Sequence, residues 1–360
     1  MTLRVVHVAS GREWRGGQRQ VWLLARELAR LGDLEQVAQV VVTGARSELA
    51  RRLAGDGVAV HPVRWTAGLD PRVIPAVIAE IRAGGSVLHA HDAHAVTLAG
   101  ISSWLTRIPF VATRRVDFPL RHPAVWKRAR KVIAISGAVR DVLLTDGIAA
   151  ERITVIPSGI SLDDTRAPAP LGIRSRLGLG PDATIAANVA ALVGHKDHPT
   201  LLRAAAALRD RHPGLHWVVA GEGPQRRDIE HRREALGLSA RVHLLGHIPD
   251  PVRLIADADV YVMSSSQEGL GTSVLDAMAR GIPVASTAAG GLPELLSDGA
   301  GLLVTPGDFT ALADAVDRIL TDRTLKRALI DRANHAVQRF TARRMAADAV
   351  SVYRSCASFH

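Results

Sequence analysis

The sequence holds a single cysteine and no long apolar run, and each absence removes a class of protein. One thiol, Cys356, cannot form an internal disulfide, so packed cores must supply the stability and a reducing compartment is acceptable. No uninterrupted run of about 18 apolar residues occurs, so the pattern predicts no membrane-spanning helix. The chain enters a strand pattern directly after Met1 and lacks the profile of a signal peptide. These absences predict a cytoplasmic protein, and they leave open an association with the inner face of the cytoplasmic membrane.

Motifs of cofactor and metal binding are also missing. No G-x-G-x-x-G follows the first predicted strand, which argues against a Rossmann-type dehydrogenase. Asp257 and Asp259 fall where a predicted helix runs into a strand, and we interpret them as structural. His89, His91 and His94 cluster near a predicted strand, but a single strand holds the first two on one face with little convergence. We therefore expect no metal ion and no cofactor, and we expect these histidines to line a ligand cleft.

Size and charge favour a soluble protein of two domains with an unevenly charged surface. The 360 residues exceed the usual limit of a single core, and 47% hydrophobic with 22% charged residues is typical of globular proteins. The net charge is +10, and residues 1–160 contribute almost all of it, with 22 Lys and Arg against 13 Asp and Glu. This asymmetry indicates an anionic partner for the first half, either a phospholipid surface or a phosphorylated small molecule. Nucleic acid is not expected because no recognition motif accompanies the charge, and a merely solvated basic surface is the alternative.

Strand and helix patterns alternate along the whole chain. Apolar runs such as Leu3–Ser10 and Val87–Ala90 predict buried strands, and segments such as Gln18–Leu31 carry apolar residues at the helical period. The alternation predicts an α/β fold of two doubly wound parallel sheets, with a ligand cleft between the carboxyl ends of their strands. The predicted boundaries are a first domain at 1–162, a linker at 163–180, a second domain at 181–340, and a final helix at 341–360 that packs back on the first domain.

The most informative segment runs from Ser264 to Ala279. It follows a predicted strand, passes through two glycines and opens a helix, so that free backbone N–H groups can bind an anion such as a diphosphate. Glu268 lies just before the helix and Asp276 lies inside it, where carboxylates suit sugar or ribose hydroxyls better than phosphate. The alternative is that Glu268 caps the helix and Asp276 lies at the surface. The positions expected to bind the ligand are Glu268, Gly269, Leu270, Gly271, Thr272, Ser273 and Asp276.

This segment resembles the E-x7-E motif of glycosyltransferase family 4, whose members adopt the GT-B fold and mostly transfer a sugar with retention. The second acid is Asp276, where the family usually has glutamate. The resemblance implies a nucleotide-sugar donor, most often a uridine diphosphate (UDP) sugar in this family. It also implies that Glu268 contacts the transferred sugar and Asp276 the nucleotide ribose, and that the second domain binds the donor and the first the acceptor.

Four further segments stand in the order found in the family. A double glycine near the start opens a helix and is similar to the family's acceptor-side glycine loop, and we count both glycines among the donor-binding positions. With the segment above, the four cover nearly the whole chain, which makes the resemblance specific. The segments are Gly16-Gly17, Ile156–Ile160, Ala220–Pro224 with Gly221 as a donor-binding position, and Ala289–Glu294.

Two positions depart from the family pattern. Lys196 stands where the family has a lysine on the donor diphosphate, but Ala191 replaces the arginine expected before it. His195, His198 or an arginine of the first domain could take over the role of that arginine. Arg115 stands where many relatives have a histidine. The positions expected to contact the acceptor or a phosphate are His91, Asp92, Arg114, Arg115, Asp117, His195 and His198.

The expected reaction is transfer of the sugar to an acceptor hydroxyl, in the synthesis of a cell-envelope glycolipid or polysaccharide. Lys196 and Glu268 are the predicted catalytic residues, and Lys196 with the helix start would neutralise the departing diphosphate. The leaving phosphate would take the acceptor proton on the same face of the sugar, without a covalent intermediate. Two alternatives stay open: a nucleotide-sugar 2-epimerase of the same architecture, and a non-catalytic sugar-nucleotide-binding protein, which the changes at Ala191 and Asp276 would favour.

A basic stretch from Arg121 to Lys131 adds a membrane hypothesis. A helix from Ala124 would carry Trp126 beside several basic residues, which is typical of a helix at a membrane interface. A solvated helix face is the alternative interpretation of the same pattern.

Overall fold

The chain folds into two compact units, each built on one parallel sheet. The computed structural model describes residues 3–11, 13–65 and 68–357, with only the backbone of residues 33–35. The first unit is formed by Met1–Ser161 with Phe340–His360, and the second by Leu162–Arg339. The predicted fold class, α/β with two doubly wound sheets, is confirmed.

The sheet of the first unit has seven parallel strands. They are β1 (Leu3–Ala9), β2 (Val37–Gly44), β3 (Val60–Val63), β4 (Val87–Ala90), β5 (Phe110–Arg114), β6 (Lys131–Ala134) and β7 (Ile153–Val155). The helices between them are α1 (Gly16–Glu35), α2 (Glu48–Gly55), α3 (Val73–Arg82), α4 (Ala93–Thr106), α5 (Pro123–Trp126) and α6 (Gly137–Thr145). In the order β3-β2-β1-β4-β5-β6-β7 the middle strand is β4, and β1 lies directly beside it.

The sheet of the second unit has six parallel strands, in the order β10-β9-β8-β11-β12-β13. They are β8 (Thr184–Val189), β9 (Leu215–Ala220), β10 (Val242–Gly246), β11 (Val260–Met263), β12 (Val284–Thr287) and β13 (Leu302–Val304). Its helices are α7 (Leu162–Arg166), α8 (Ile173–Arg176), α9 (His198–Leu208), α10 (Arg226–Ala235), α11 (Pro251–Ile255), α12 (Thr272–Ala279), α13 (Leu292–Leu295), α14 (Phe309–Thr321) and α15 (Arg323–Ala336). The loops after β8, β9, β11 and β12 leave the sheet at its carboxyl edge, where doubly wound sheets bind ligands.

The last helix, α16 (Ala342–Ala357), belongs to the first unit. Its buried face packs on α1 and on the alternate apolar residues of the central strands, such as Val5 and Val87. The backbone N–H of Ala342 donates a hydrogen bond to the carbonyl of Ile160 (2.8 Å), which attaches the start of the helix to the end of the sheet domain.

The stretch at 163–180, expected to be a linker, contains the short helices α7 and α8. Ile173 on α8 is fully buried and packs in a cluster with Ile185 and Val218 of the second sheet. The segment is therefore packed into the second unit. Periodicity does not reveal such pieces because each is about one turn long and is flanked by proline or glycine.

The helix expected from Ala124 ends at Trp126, and Trp126 is buried. The guanidinium of Arg114 lies 5.7 Å from the centroid of its ring, so the indole is part of the core. The interpretation of Trp126 as an interfacial anchor is therefore wrong. Among the described residues, none of the helices is long and apolar enough to cross a bilayer.

Candidate functional site

The motif segments of the second unit meet at the carboxyl edge of its sheet. The backbone N–H of Ser266, after β11, donates a hydrogen bond to the carbonyl of His195, after β8 (2.9 Å). The N–H of Gly291, after β12, donates to the carbonyl of Glu268 (2.9 Å). Three segments that lie far apart in the sequence thus form one site around the start of α12.

Lys196 and Glu268, the two predicted catalytic residues, form an ion pair in this site. Their side chains are 15% and 13% exposed, so the pair is mostly shielded from water yet reachable from solvent. Ser264 Oγ donates a hydrogen bond to the carbonyl of Lys196 (2.9 Å), which fixes the short 3-10 turn that carries the lysine. Glu268 does not cap α12, because the N-cap position is Gly271. A shielded cation beside a helix start can bind an anionic ligand through charge-assisted hydrogen bonds.

Helix α12 begins at Thr272, directly after a glycine that its geometry requires. Gly271 has a φ of 94°, and a Cβ at this position would lie 2.6 Å from Leu292 Cδ2. Asp276 is only 2% exposed, so the interpretation of this carboxylate as a surface residue is wrong. Of the other positions expected to bind the ligand, Thr272 and Ser273 are half-exposed, whereas Gly269 and Leu270 are buried.

The turn after β9 packs tightly against the loop after β8, where Ala191 stands in place of the family's arginine. The N–H of Leu192 donates a hydrogen bond to the carbonyl of Glu222 (3.0 Å). Gly221 has a φ of 154°, and a Cβ on it would overlap the carbonyl oxygen of Ala190. Only glycine allows the two loops to approach this closely, so Gly221 shapes the site through backbone contact.

We expect Gly221→Ala to destabilise the protein by about 3 kcal/mol, because the added methyl group forces the two loops apart. The matched control is Gly214→Ala, since a Cβ on Gly214 meets nothing within 4 Å. The control is expected to change stability by less than about 0.5 kcal/mol. Urea unfolding curves of the two variants measure the difference, and equal midpoints would refute the steric argument.

The two histidines near Lys196 have different environments. His198 begins α9 and is buried, and burial together with the charge of Lys196 lowers its pKa to about 4. A neutral imidazole can donate a hydrogen bond but does not supply the positive charge of a guanidinium. This burial disfavours His198 as the cation that replaces the arginine missing at Ala191. His195 is half-exposed at the rim of the same turn.

The first unit holds a buried cluster of polar side chains on β1, β4, β5 and α16. His7 Nδ1 and His91 Nε2 share a hydrogen bond (2.9 Å). His89 shares one with the hydroxyl of Tyr353 and another with that of Thr113, each 2.7 Å long. His7 and Tyr353 are not among the residues predicted from the sequence. The signal for His7 was a histidine between valines in the middle of β1, where a buried imidazole requires polar partners inside the core.

The expectation that these histidines do not converge is wrong, because β1 adds His7 beside them. One ring nitrogen each of His7, His89 and His91 lie within 4.8 Å of one another, a spacing that could hold a metal ion. Burial lowers the pKa of His7 to about 3 and the pKa values of His89 and His91 well below the usual range. The nearby guanidinium of Arg115 adds a positive charge, which disfavours a second cation in the cluster. His94 is exposed outside it.

Arg115 lies close to both His91 and the glycine loop at the start of α1. A Cβ on Gly17 would lie 3.8 Å from Arg115 Cδ, so Gly17 borders this side chain. Burial lowers the pKa of Arg115 to about 10, and the guanidinium remains charged at neutral pH. A half-buried guanidinium beside a helix N-terminus is an arrangement that binds anions.

The other acceptor candidates have structural partners. Asp92 Oδ1 accepts a hydrogen bond from the N–H of Ala95 (3.0 Å) and caps α4. Arg114 donates to the carbonyl of Phe118 and turns toward the core. Asp117 is half-buried and helps to neutralise Arg114. These contacts hold the loops around His91 and Arg115.

Both halves of the chain match sequence families of sugar-transferring enzymes. The family model described as Glycosyltransferase Family 4 matches residues 14–164, and the one described as Glycosyl transferases group 1 matches residues 173–336. The lipopolysaccharide core biosynthesis glycosyltransferase LpsE of Rhizobium meliloti is 34% identical over 165 residues, which cover 46% of this chain and 47% of the relative. The D-inositol 3-phosphate glycosyltransferase of Mycobacterium tuberculosis is 30% identical over 296 residues, covering 70% and 60%. The chain spans about half the length of the first curated relatives that it matches.

Solved structures with the same fold cover the whole chain. A glycosyltransferase of Rickettsia africae gives a TM-score of 0.84 at 19% identity, over 100% of both chains. The HepE protein of Anabaena, solved with UDP-glucose, gives 0.85 at 22% identity, over 98% of this chain and 100% of that one. At such identities the likeness shows the fold alone, and it agrees with the predicted GT-B architecture. With the two family matches and the ordered motifs, the conclusion is that this chain belongs to glycosyltransferase family 4.

Proposed function

We propose that the protein is a retaining glycosyltransferase that moves a sugar from a nucleotide-sugar donor to an acceptor hydroxyl. The observation that carries the proposal is the shielded Lys196–Glu268 pair at the start of α12. The pair offers a cation to a diphosphate and a carboxylate to sugar hydroxyls. The HepE protein was solved with UDP-glucose, which supports a UDP-sugar as the donor here. The name of LpsE supports a cell-envelope glycolipid or polysaccharide as the product.

In this mechanism the second unit binds the donor and stabilises its leaving group. When the donor binds, Lys196 exchanges its ion pair with Glu268 for one with the donor diphosphate. The backbone N–H groups at the start of α12 donate hydrogen bonds to the same diphosphate. Glu268 then accepts hydrogen bonds from the sugar, and Asp276 accepts them from the ribose. The bond between the anomeric carbon and the phosphate oxygen breaks while the acceptor oxygen bonds to that carbon on the same face. The departing phosphate oxygen takes the acceptor proton.

The first unit binds the acceptor in this proposal. Its net charge of about +9 in residues 1–160 favours an acceptor that is phosphorylated or linked to an anionic lipid. Arg115, beside His91 and Gly17, is the half-buried cation best suited to a phosphate of the acceptor. A lipid-linked acceptor would bring the enzyme to the inner face of the cytoplasmic membrane.

A donor screen by thermal shift tests the first step of the proposal. The matching nucleotide sugar is expected to raise the unfolding temperature, and to raise it further with the logarithm of its concentration above the Kd, because it binds only the folded chain. Incubation of that donor with candidate acceptors is then expected to release nucleotide, and the anomeric configuration of the product, read by NMR, reports retention. Inversion would overturn the stereochemical part of the proposal.

The same assay separates the two alternative functions. A 2-epimerase releases nucleotide at the same rate without any acceptor, whereas a transferase needs the acceptor for full rate. A non-catalytic protein binds the nucleotide sugar and releases no nucleotide in either condition. Release that depends on the acceptor is the outcome we expect.

A further inference from the structure

The outer face of helix α4 in the first unit is apolar and exposed. Ile101, Trp104 and Leu105 lie at the helical spacing of one face, and their exposed fractions are 40%, 66% and 52%. The sequence of the helix contains no Lys, Arg, Asp or Glu at all, although helices at a protein surface normally carry charged residues on the outer face. These three side chains form what we call the apolar ridge.

Basic residues follow the apolar ridge in the sequence. Apart from Arg114 and Arg115 at the carboxyl end of β5, residues 101–131 contain six Lys and Arg and a single acid, Asp117. Helix α5 packs against α4 at Gly100, which precedes the first ridge residue, since a Cβ on Gly100 would lie 3.0 Å from Val125 Cγ1. After α5 the chain returns to the start of β5, where the N–H of Arg130 donates a hydrogen bond to the carbonyl of Phe110 (2.9 Å). The exposed members of this basic collar are Arg107, Arg121, Lys127, Arg128 and Arg130.

We propose that the apolar ridge and the basic collar form the surface by which this protein binds a membrane of anionic lipid. In this proposal the indole of Trp104 lies at the level of the lipid headgroups, and Ile101 and Leu105 insert at the boundary with the acyl chains. The basic side chains of the collar bind the lipid phosphates. The inference rests on the proposed function in one respect only, namely that the acceptor is reached at a membrane.

A second copy of the chain suits this surface less well than lipid. A two-fold dimer sets the same patch against itself, so the basic collars of both copies would face each other. Three apolar side chains are also few for a stable interface, which buries about 800 Å² on each partner. A bilayer of anionic lipid offers acyl chains to the apolar ridge and negative headgroups to the basic collar at the same time.

The position of the surface leaves the candidate acceptor site of the first unit free. Helix α4 starts at the carboxyl end of β4, near His91, and runs back to the start of β5. The ridge lies in its last two turns, and the collar residue Arg107 follows directly. A membrane bound at the last turns of α4 therefore does not cover His91 or Arg115. Membrane binding can for this reason be tested separately from sugar transfer.

Co-sedimentation of the full chain with vesicles tests the proposal. We expect binding to vesicles of phosphatidylcholine mixed with phosphatidylglycerol, no binding to phosphatidylcholine alone, and weaker binding as salt rises. The double variant Trp104→Ser/Leu105→Ser is expected to lower the partition coefficient at least about tenfold, and so is Arg107→Gln/Arg128→Gln. All four side chains are exposed, so these variants are expected to fold. The matched controls are Leu303→Ser and Arg227→Gln, exposed residues of the second unit that are expected to change nothing.

Two results would overturn the inference. Unchanged vesicle binding by the ridge variant would exclude the apolar ridge, and a concentration-dependent dimer that the ridge variant abolishes would make the patch an interface between copies. Nucleotide release with a water-soluble acceptor, measured on the same variants, keeps the two proposals apart. If the ridge variant loses vesicle binding but transfers sugar normally, the result supports the membrane-binding surface. If the unaltered protein binds vesicles but transfers no sugar, the result counts against the proposed function alone.

Discussion

Lys196→Ala is expected to lower kcat for sugar transfer by about 10²- to 10³-fold, the usual effect of removing one group that stabilises developing charge. In the donor-free chain the ammonium group is paired with Glu268 and shielded from water. It is therefore already positioned beside the start of α12, where the diphosphate would leave. Because Ala191 supplies no guanidinium, Lys196 is expected to carry most of that stabilisation in the second unit. Initial rates at saturating donor measure the effect.

The stability of the same variants separates catalysis from a structural role of the pair. Removing one member leaves the other charge poorly solvated, so Lys196→Ala is expected to cost about 1–3 kcal/mol of stability. Removing both, in Lys196→Ala/Glu268→Ala, is expected to restore part of that stability and none of the activity. Arg232→Ala, which breaks an exposed pair with Asp228, is the matched control and is expected to leave both quantities unchanged. Full transfer by folded Lys196→Ala protein would mean that the pair is only structural.

Local pattern predicts the fold of this chain well because each strand and helix carries its own periodicity. The strand Val87–Ala90 has the predicted bounds, and the predicted helix Gln18–Leu31 lies within α1 (Gly16–Glu35). The order of motifs also predicts that Lys196 and Glu268 lie in one site, although 72 residues separate them. It does not reveal that the two side chains pair with each other in the donor-free protein.

The parts that sequence analysis missed depend on contacts between distant elements. His89 and Tyr353 share a hydrogen bond across a separation of 264 residues, and only the return of α16 to the first sheet brings them together. Trp126 shows the same limit, since a tryptophan among basic residues has an interfacial pattern whether its ring faces solvent or the core. Burial is a property of tertiary packing, and a one-turn helix such as α5 has too few residues to encode which side faces inward.

Mild acid is expected to destabilise the first unit through the cluster of His7, His89 and His91. Burial lowers the pKa of His7 from 6.5 to about 3 and the other two well below 6.5. Below the unfolded pKa, the unfolded chain takes up protons that the folded chain does not. The stabilisation is thus complete above about pH 6.5 and is lost progressively as the pH falls toward the folded value. At about pH 5 the loss is about 2 kcal/mol for His7, and the lowered pKa values of His89 and His91 add to it in the same direction.

Urea unfolding between about pH 8 and pH 5 measures this dependence, followed by tryptophan fluorescence, since five of the six tryptophans lie in residues 1–161. His7→Leu/His91→Leu removes two of the titrating groups together with their shared hydrogen bond, so the pH dependence of stability is expected to fall by about two thirds. His231→Leu, at an exposed histidine of the second unit, is expected to leave it unchanged. A chelator is expected to have no effect, because hydrogen bonds and burial, not a metal ion, keep these rings neutral. Destabilisation by the chelator at pH 8 would instead mean that the three histidines hold a cation despite the charge of Arg115.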